Sequence, residues 1–129
     1  YGAMLLVGLA AALLLGNLAL KNLFARPRPC WLDESVPLLI ARPGDYSFPS
    51  GHTMAGAIGA TILTAADRRF GWAAIPLAVL IAFSRIFLFV HYPTDVLAGI
   101  LLGTLAALLT YFAAKAIQKR QAEKRTAQI

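Results

Sequence analysis

Charge is what this sequence has least of. Only 14% of its 129 residues are Asp, Glu, Lys or Arg and 59% are hydrophobic, a balance that excludes an ordinary soluble domain of this size. Acidic side chains are the scarcer kind, 6 against 12 basic ones, so the net charge is +6. A lone cysteine, Cys30, rules out an internal disulfide and a cysteine zinc site, and it carries no functional reading. Neither an internal repeat nor a low-complexity segment is present. Residues 2–20 have no charged start and no small-residue cleavage site, so they read as a span, not as a signal peptide.

What is there is apolar and continuous, with a mean hydropathy of +0.68. Residues 2–20 and 96–114 contain no charged side chain, and each is close to the ~20 residues that cross a bilayer. Residues 70–90 are apolar except for Arg85, and residues 51–66 form a shorter, small-residue segment opened by His52. The expected fold class is therefore all-α: an integral membrane bundle of four spans, at about 2–20, 51–66, 70–90 and 96–114. The chain reads as one domain, with a long connection over 21–50 and a basic tail over 115–129. Pro27 and Pro29 end the first span near Lys21 to Ala25, because each removes a backbone donor and biases its predecessor towards extended backbone.

Five of the twelve basic residues, Lys115, Lys119, Arg120, Lys124 and Arg125, crowd the tail. Basic residues beside a membrane helix mark the cytoplasmic side and favour anionic headgroups, so the charge asks for membrane lipid and not for nucleic acid. Counting back places Arg68 and Arg69 on the same side, and the long connection and "HYPT" outside. Trp31 and Tyr46 on one side and Trp72 on the other suit the interfacial aromatic belts. Gly99 with Gly103, and Ala55, Gly56, Gly59 and Ala60, have the spacing that lets helices approach closely.

Hydropathy leaves seven polar residues unexplained: Lys21, Arg28, Ser50, His52, Arg85, His91 and Asp95. On the expected topology all seven fall at one membrane face. Three cations, with Ser50 and the free N–H groups of a helix start, ask for a multiply charged anion, and phosphate is the commonest. Ser50 is an expected N-cap, and Gly51 removes the side chain that would keep an oxyanion from the backbone donors. His52, in the first turn, could protonate a leaving oxygen. His91, if Asp95 holds it in one tautomer, could act as base or nucleophile. Plainer readings stand beside these: Asp95 and Ser50 as caps alone, Gly51 as a turn residue, Lys21 as a snorkelling anchor, the histidines as interfacial residues. Arg85 resists such a reading, because an arginine inside a span is costly to desolvate; on a regular helix it lies about 9 Å below His91.

The order and spacing of these residues resemble the type 2 phosphatidic acid phosphatase family. "KNLFARPRP" matches its lysine, six residues, Arg-Pro with Lys21, Arg28 and Pro29, while Arg26-Pro27 repeats the dipeptide out of register. "PSGH" is Pro49 to His52, and "SRIFLFVHYPTD" supplies Ser84, Arg85, His91 and Asp95. The resemblance implies a membrane phosphatase in which His91 attacks phosphorus to give a phosphohistidine, Asp95 orients it and His52 protonates the leaving oxygen. Lys21, Arg28, Ser50, Gly51 and Arg85 would hold the phosphate oxygens. It implies no metal and no other cofactor. Family members usually carry six membrane helices with the first motif after the third, so the four spans are expected to be the last four, with two more upstream of Tyr1.

The expected substrate is a lipid phosphate or diphosphate taken from the outer face of the cell membrane, undecaprenyl diphosphate first. Phosphatidic acid, phosphatidylglycerol phosphate and diacylglycerol diphosphate stay open. Vanadium-dependent haloperoxidases share the motif residues, but they are soluble. A catalytically silent lipid-phosphate binder is the alternative from another class. Oligomeric state is not legible.

Overall fold

The computed structural model describes residues 1–127, and every regular element among them is helical. Helix α1, Gly2–Ala11, runs without a break through the π-wound segment Ala12–Leu20 into α2, Lys21–Phe24, making one rod. It stops where Ala25 turns left-handed at φ 45° while its N–H still caps Lys21 O. Pro27 and Pro29 follow, and α3, Pro29–Leu32, is a single turn begun by a proline. Residues 33–50 are irregular. Helix α4, Gly51–Ala66, is capped by Ser50; α5, Arg68–Phe87, by the Asp67 carboxylate, which accepts from Arg69 N–H at 2.8 Å; α6 is Pro93–Thr126.

Three helical stretches are long and apolar enough to cross a membrane: Gly2–Leu32, Arg68–Phe87 and Pro93–Thr126. The expected fourth, 51–66, differs. Its 16 residues reach only about 24 Å, short of a ~30 Å hydrocarbon core. The physical reason is its position: α4 packs against α5, α6 and the first rod, so it needs contact with neighbours more than lipid-facing length. Met54, Ile58 and Ile62 of α4 form the buried core with Met4, Ala12 and Ala107. Leucines 6, 13, 14, 15, 101, 105 and 109 point away from it and are exposed, as side chains facing acyl chains would be.

The close approach of α4 and α6 depends on glycine, though only partly at the expected positions. A Cβ on Gly99 would lie 2.8 Å from Ser50 O, and one on Gly103 would lie 2.5 Å from Met54 O. Gly59 meets nothing within 4 Å, so it is not a packing glycine. Helix α6 is also longer than the expected 96–114 span. Its 34 residues carry the basic tail onward as helix to Thr126, with Lys119 4.0 Å from Glu123 one turn later. Positions 128 and 129 of that tail lie outside the described residues.

A regular rise between Arg85 and His91 is not what the structure shows. Helix α5 ends at Phe87, and Phe89 takes φ 60°, which folds the chain back so that Val90 and His91 N–H both approach Arg85 O at 3.3 Å. This turn carries His91 inward.

Candidate active site

One cavity of about 380 Å³ collects most of the polar residues that hydropathy could not explain. Lys21, Arg28, Gly51, His52, Arg85 and His91 line it, together with Asn17 and Asp45. Four separate segments contribute: the first rod, the start of α3 with the loop after it, the first turn of α4, and the α5–α6 turn. Larger apolar hollows between α4, α5 and α6 contain no titratable group apart from Arg69. The chemistry therefore sits in the polar cavity and not in the roomier ones.

The geometry around His91 assigns its tautomer. Arg28 Nη1 lies 3.2 Å from His91 Nε2. A guanidinium has five donors and no acceptor, so Nε2 must present a lone pair and the proton must sit on Nδ1. On that side Nδ1 faces Asp95 Oδ2 and Ser47 Oγ, each at 3.5 Å. The imidazole is buried, and burial holds its pKa below the ordinary 6.5, Asp95 pulls it upward, and the Arg28 charge pushes it down again. A neutral, Nε2-nucleophilic imidazole is thus the favoured form.

Asp95 is both a cap and a partner, which resolves the two readings of it into one. Its Oδ2 accepts from Tyr92 N–H at 2.8 Å, closing the first turn of α6, and from the Ser47 hydroxyl. Its Oδ1 accepts from Arg26 Nη1 at 2.8 Å, and Arg26 also lies 4.1 Å over the Tyr92 ring. The carboxylate is fully buried, so this set of donors is what keeps it tolerable there.

Arg28 is held on all sides: Nε donates to Asp45 O at 2.7 Å, Nη1 to Val90 O at 2.9 Å and Nη2 to Asp45 Oδ1 at 2.6 Å. Lys21 pairs with the other Asp45 oxygen. Burial disfavours the Asp45 charge, but hydrogen bonds and charge from Lys21 and Arg28 outweigh it and hold the carboxyl below 3.8. Arg85 pairs with no acid among the described residues; its Nε bonds Ser84 Oγ at 3.1 Å. His52 is exposed on the cavity wall.

Ser50 stands apart from the other expected phosphate ligands. It does not line the cavity; its hydroxyl is fully buried, 2.9 Å from Thr53 Oγ1, and caps Thr53 N–H at 3.4 Å. Its N–H donates to Asp95 O at 3.1 Å, which ties the start of α4 to the start of α6. Gly51 does line the cavity, and a Cβ there would sit 2.6 Å from Asn17 Oδ1.

Sequence reasoning missed Asn17, Arg26, Asp45 and Ser47. Asn17 had a readable signal, being the one amide inside an apolar span, and its Oδ1 is buried with no partner among the described residues. Arg26 stood in the motif's repeated dipeptide. Asp45 and Ser47 sit in an irregular loop, where no periodicity reports what a side chain touches.

A helical bundle with apolar, membrane-length helices and a cationic cavity, lined by a buried histidine that has a carboxylate behind it, defines a membrane protein with a site suited to an anion. The sequence model of the PAP2 superfamily matches residues 1–119, and the chain belongs to that superfamily. It is 36% identical over 110 residues to an undecaprenyl-diphosphatase of Sulfolobus acidocaldarius, covering 84% of this chain and 53% of that protein. Its fold is similar to a crystal structure of a PAP2-type phosphatidylglycerolphosphate phosphatase from Bacillus subtilis, with TM-score 0.73 and 31% identity over 90% of this chain and 60% of that one. Aquifex aeolicus LpxE gives TM-score 0.74 and 33% identity over 84% of this chain and 65% of that one. The chain spans about half the length of the curated relatives it matches.

Proposed function

We propose that this protein is a lipid phosphatase that removes phosphate from a membrane-anchored phosphate or diphosphate, with undecaprenyl diphosphate as the first candidate. The observation that carries this reading is the His91 tautomer: Arg28 fixes a lone pair on Nε2 at the cavity wall while Asp95 and Ser47 face Nδ1 from behind. The choice of lipid is supported by the undecaprenyl-diphosphatase relatives.

In the reaction, Nε2 of His91 attacks phosphorus, an N–P bond forms, and the bond to the leaving oxygen breaks with its electron pair. His52, across the same cavity, gives that oxygen its proton. Lys21, Arg28 and Arg85 stabilise the charge on the equatorial oxygens, which is where phosphoryl transfer draws most of its catalysis. His52, now neutral, takes a proton from water as the water oxygen attacks phosphorus; the N–P bond breaks, phosphate leaves and His91 is restored. Asp95 keeps the imidazole oriented as positive charge develops on it. Ser50 acts as a positioning residue, because its cap and its bond to Asp95 O set the first turn of α4. The cavity faces the outer side of the membrane and the basic end of α6 the cytoplasm, a placement supported by the basic residues of the tail.

The test is phosphate release by the detergent-purified full-length protein from undecaprenyl diphosphate, phosphatidylglycerol phosphate and phosphatidic acid side by side, with chelator present and a His91→Ala control. Release that survives chelation and is lost in the variant is the expected result, and the rate ratio names the substrate class. Lipid binding with no release from any of the three would favour the catalytically silent binder.

A further inference from the structure

The cavity already contains an anion. Asp45 presents one carboxylate oxygen to Lys21 and the other to Arg28, so the two buried cations expected to hold phosphate are both engaged by a side chain of the protein itself. Yet Asp45 is not a buried structural partner. Its side chain is 56% exposed, whereas those of Lys21 and Arg28 are 6% and 4% exposed. Nor is its carboxylate needed to hold the loop, since Arg28 Nε bonds the Asp45 backbone carbonyl at 2.7 Å and Arg28 Nη1 bonds Val90 O at 2.9 Å. Arg85, lining the same cavity, is left without an acidic partner among the described residues.

We propose that Asp45 is a specificity-determining residue: a tethered monoanion on Lys21 and Arg28 that only a phosphate group carrying more than one negative charge can displace. This deepens the phosphatase reading and rests on it.

Replacing a carboxylate tethered beside the cations, at an effective concentration in the millimolar range, by an untethered group of equal charge gains no Coulomb energy and gives up that advantage. The phosphodiester of an ordinary anionic phospholipid is such a group, and the membrane surrounds the site with it. A phosphomonoester or terminal diphosphate brings at least one further charge, and the unpaired Arg85 is there to receive it. Asp45 thus protects the site from its own bilayer. Selectivity of this kind comes from a repulsive element as much as from an attractive one.

Lipid occupancy read by native mass spectrometry tests this independently of turnover. The full-length protein carrying His52→Ala, which slows hydrolysis, is equilibrated with phosphatidic acid and, separately, with phosphatidylglycerol, each at the same mole fraction in phosphatidylcholine. With Asp45 intact, phosphatidic acid should occupy the site and phosphatidylglycerol should leave it largely empty. Asp45→Asn and Asp45→Ser should each raise phosphatidylglycerol occupancy by on the order of tenfold, while Asp45→Glu and the loop control Asp33→Asn keep it low. Equal occupancy by the two lipids with Asp45 intact overturns the proposal without any substitution at that position, as does unchanged phosphatidylglycerol occupancy in the neutral variants. Failure of the phosphatase reading shows separately, as absence of phosphate release by the unsubstituted protein while phosphatidylglycerol occupancy still reports on Asp45.

Discussion

Replacing Gly99 by Ala should damage the active site from outside it. The added Cβ would stand 2.8 Å from Ser50 O, 3.0 Å from Thr53 Cβ and 3.3 Å from Met54 N, all on the first turn of α4 or its cap. Two of these are backbone atoms that no rotamer change can move. To reach an ordinary 3.4 Å from the carbonyl, α6 and α4 must part by 3.4 − 2.8, or 0.6 Å, at that level. The Ser50 N–H to Asp95 O bond, 3.1 Å long, joins the two helices at the same place and absorbs the strain. Gly51 and His52 thereby shift against His91 and Asp95. Since about 1 Å of misplacement costs on the order of 100-fold in rate, 0.6 Å should cost on the order of tenfold. Overpacking should also remove about 1–3 kcal/mol of stability. The assay compares initial rates of phosphate release and thermal unfolding for Gly99→Ala and for Gly59→Ala, whose Cβ meets nothing within 4 Å. Gly59→Ala should keep its rate and gain up to about 1 kcal/mol of helix stability. A Gly99→Ala protein with the unsubstituted rate would refute the idea that these two helices lock the catalytic geometry.

Two further outcomes follow from the surroundings of His91. Burial, opposed by Asp95 and reinforced by Arg28, lowers the His91 pKa from 6.5, so the folded state takes up its proton at a lower pH than the unfolded chain does. Its contribution to stability is therefore complete above 6.5 and is lost as pH falls below that value towards the folded pKa. With two histidines in the chain, the His52→Ala variant leaves His91 as the only one to titrate by NMR; a midpoint above 6.5 would show instead that Asp95 prevails. Ser47→Ala leaves the buried Asp95 short of a donor and Nδ1 short of a neighbour, and should cost about 1–3 kcal/mol in thermal stability together with a fall in the rate constant at saturating lipid. An unchanged rate would leave Ser47 a structural role only.

Much of this is legible in the amino-acid sequence, for physical reasons that differ from residue to residue. Long apolar runs announce lipid-facing helices because composition alone decides them, which is why the rod through 2–24 and helices α5 and α6 lie where expected. Helix α4 is the exception: a helix surrounded by other helices need not match the bilayer, and its length answers to its neighbours. Lys21, Arg28, His52, Arg85 and His91 were visible as polar residues in apolar surroundings, and the structure brings all five to one cavity. The contact of His91 with Asp95 could only be assumed, because Pro93 breaks the helical spacing between them; it is realised through a turn in which Phe89 takes φ 60°. Asp45 and Ser47 were hidden because loop residues acquire their partners from tertiary closure, which pairs Asp45 with positions 17 and 24 away and Ser47 with positions 44 and 48 away, with no periodic signature. Ser50 carried two readings in the sequence, helix cap and phosphate ligand, and the structure shows the cap, with its hydroxyl buried against Thr53.

The most direct test of the account is a covalent one. Rapid acid-free quenching of the full-length protein during turnover of a lipid phosphate labelled with ³²P at the terminal group should trap a phosphoprotein that is labile in acid and stable in base. The label should map to His91 and vanish in His91→Ala. Label retained in that variant, an acid-stable phosphoprotein, or steady phosphate release with no phosphoprotein at any quench time would contradict the assignment of His91 as the nucleophile.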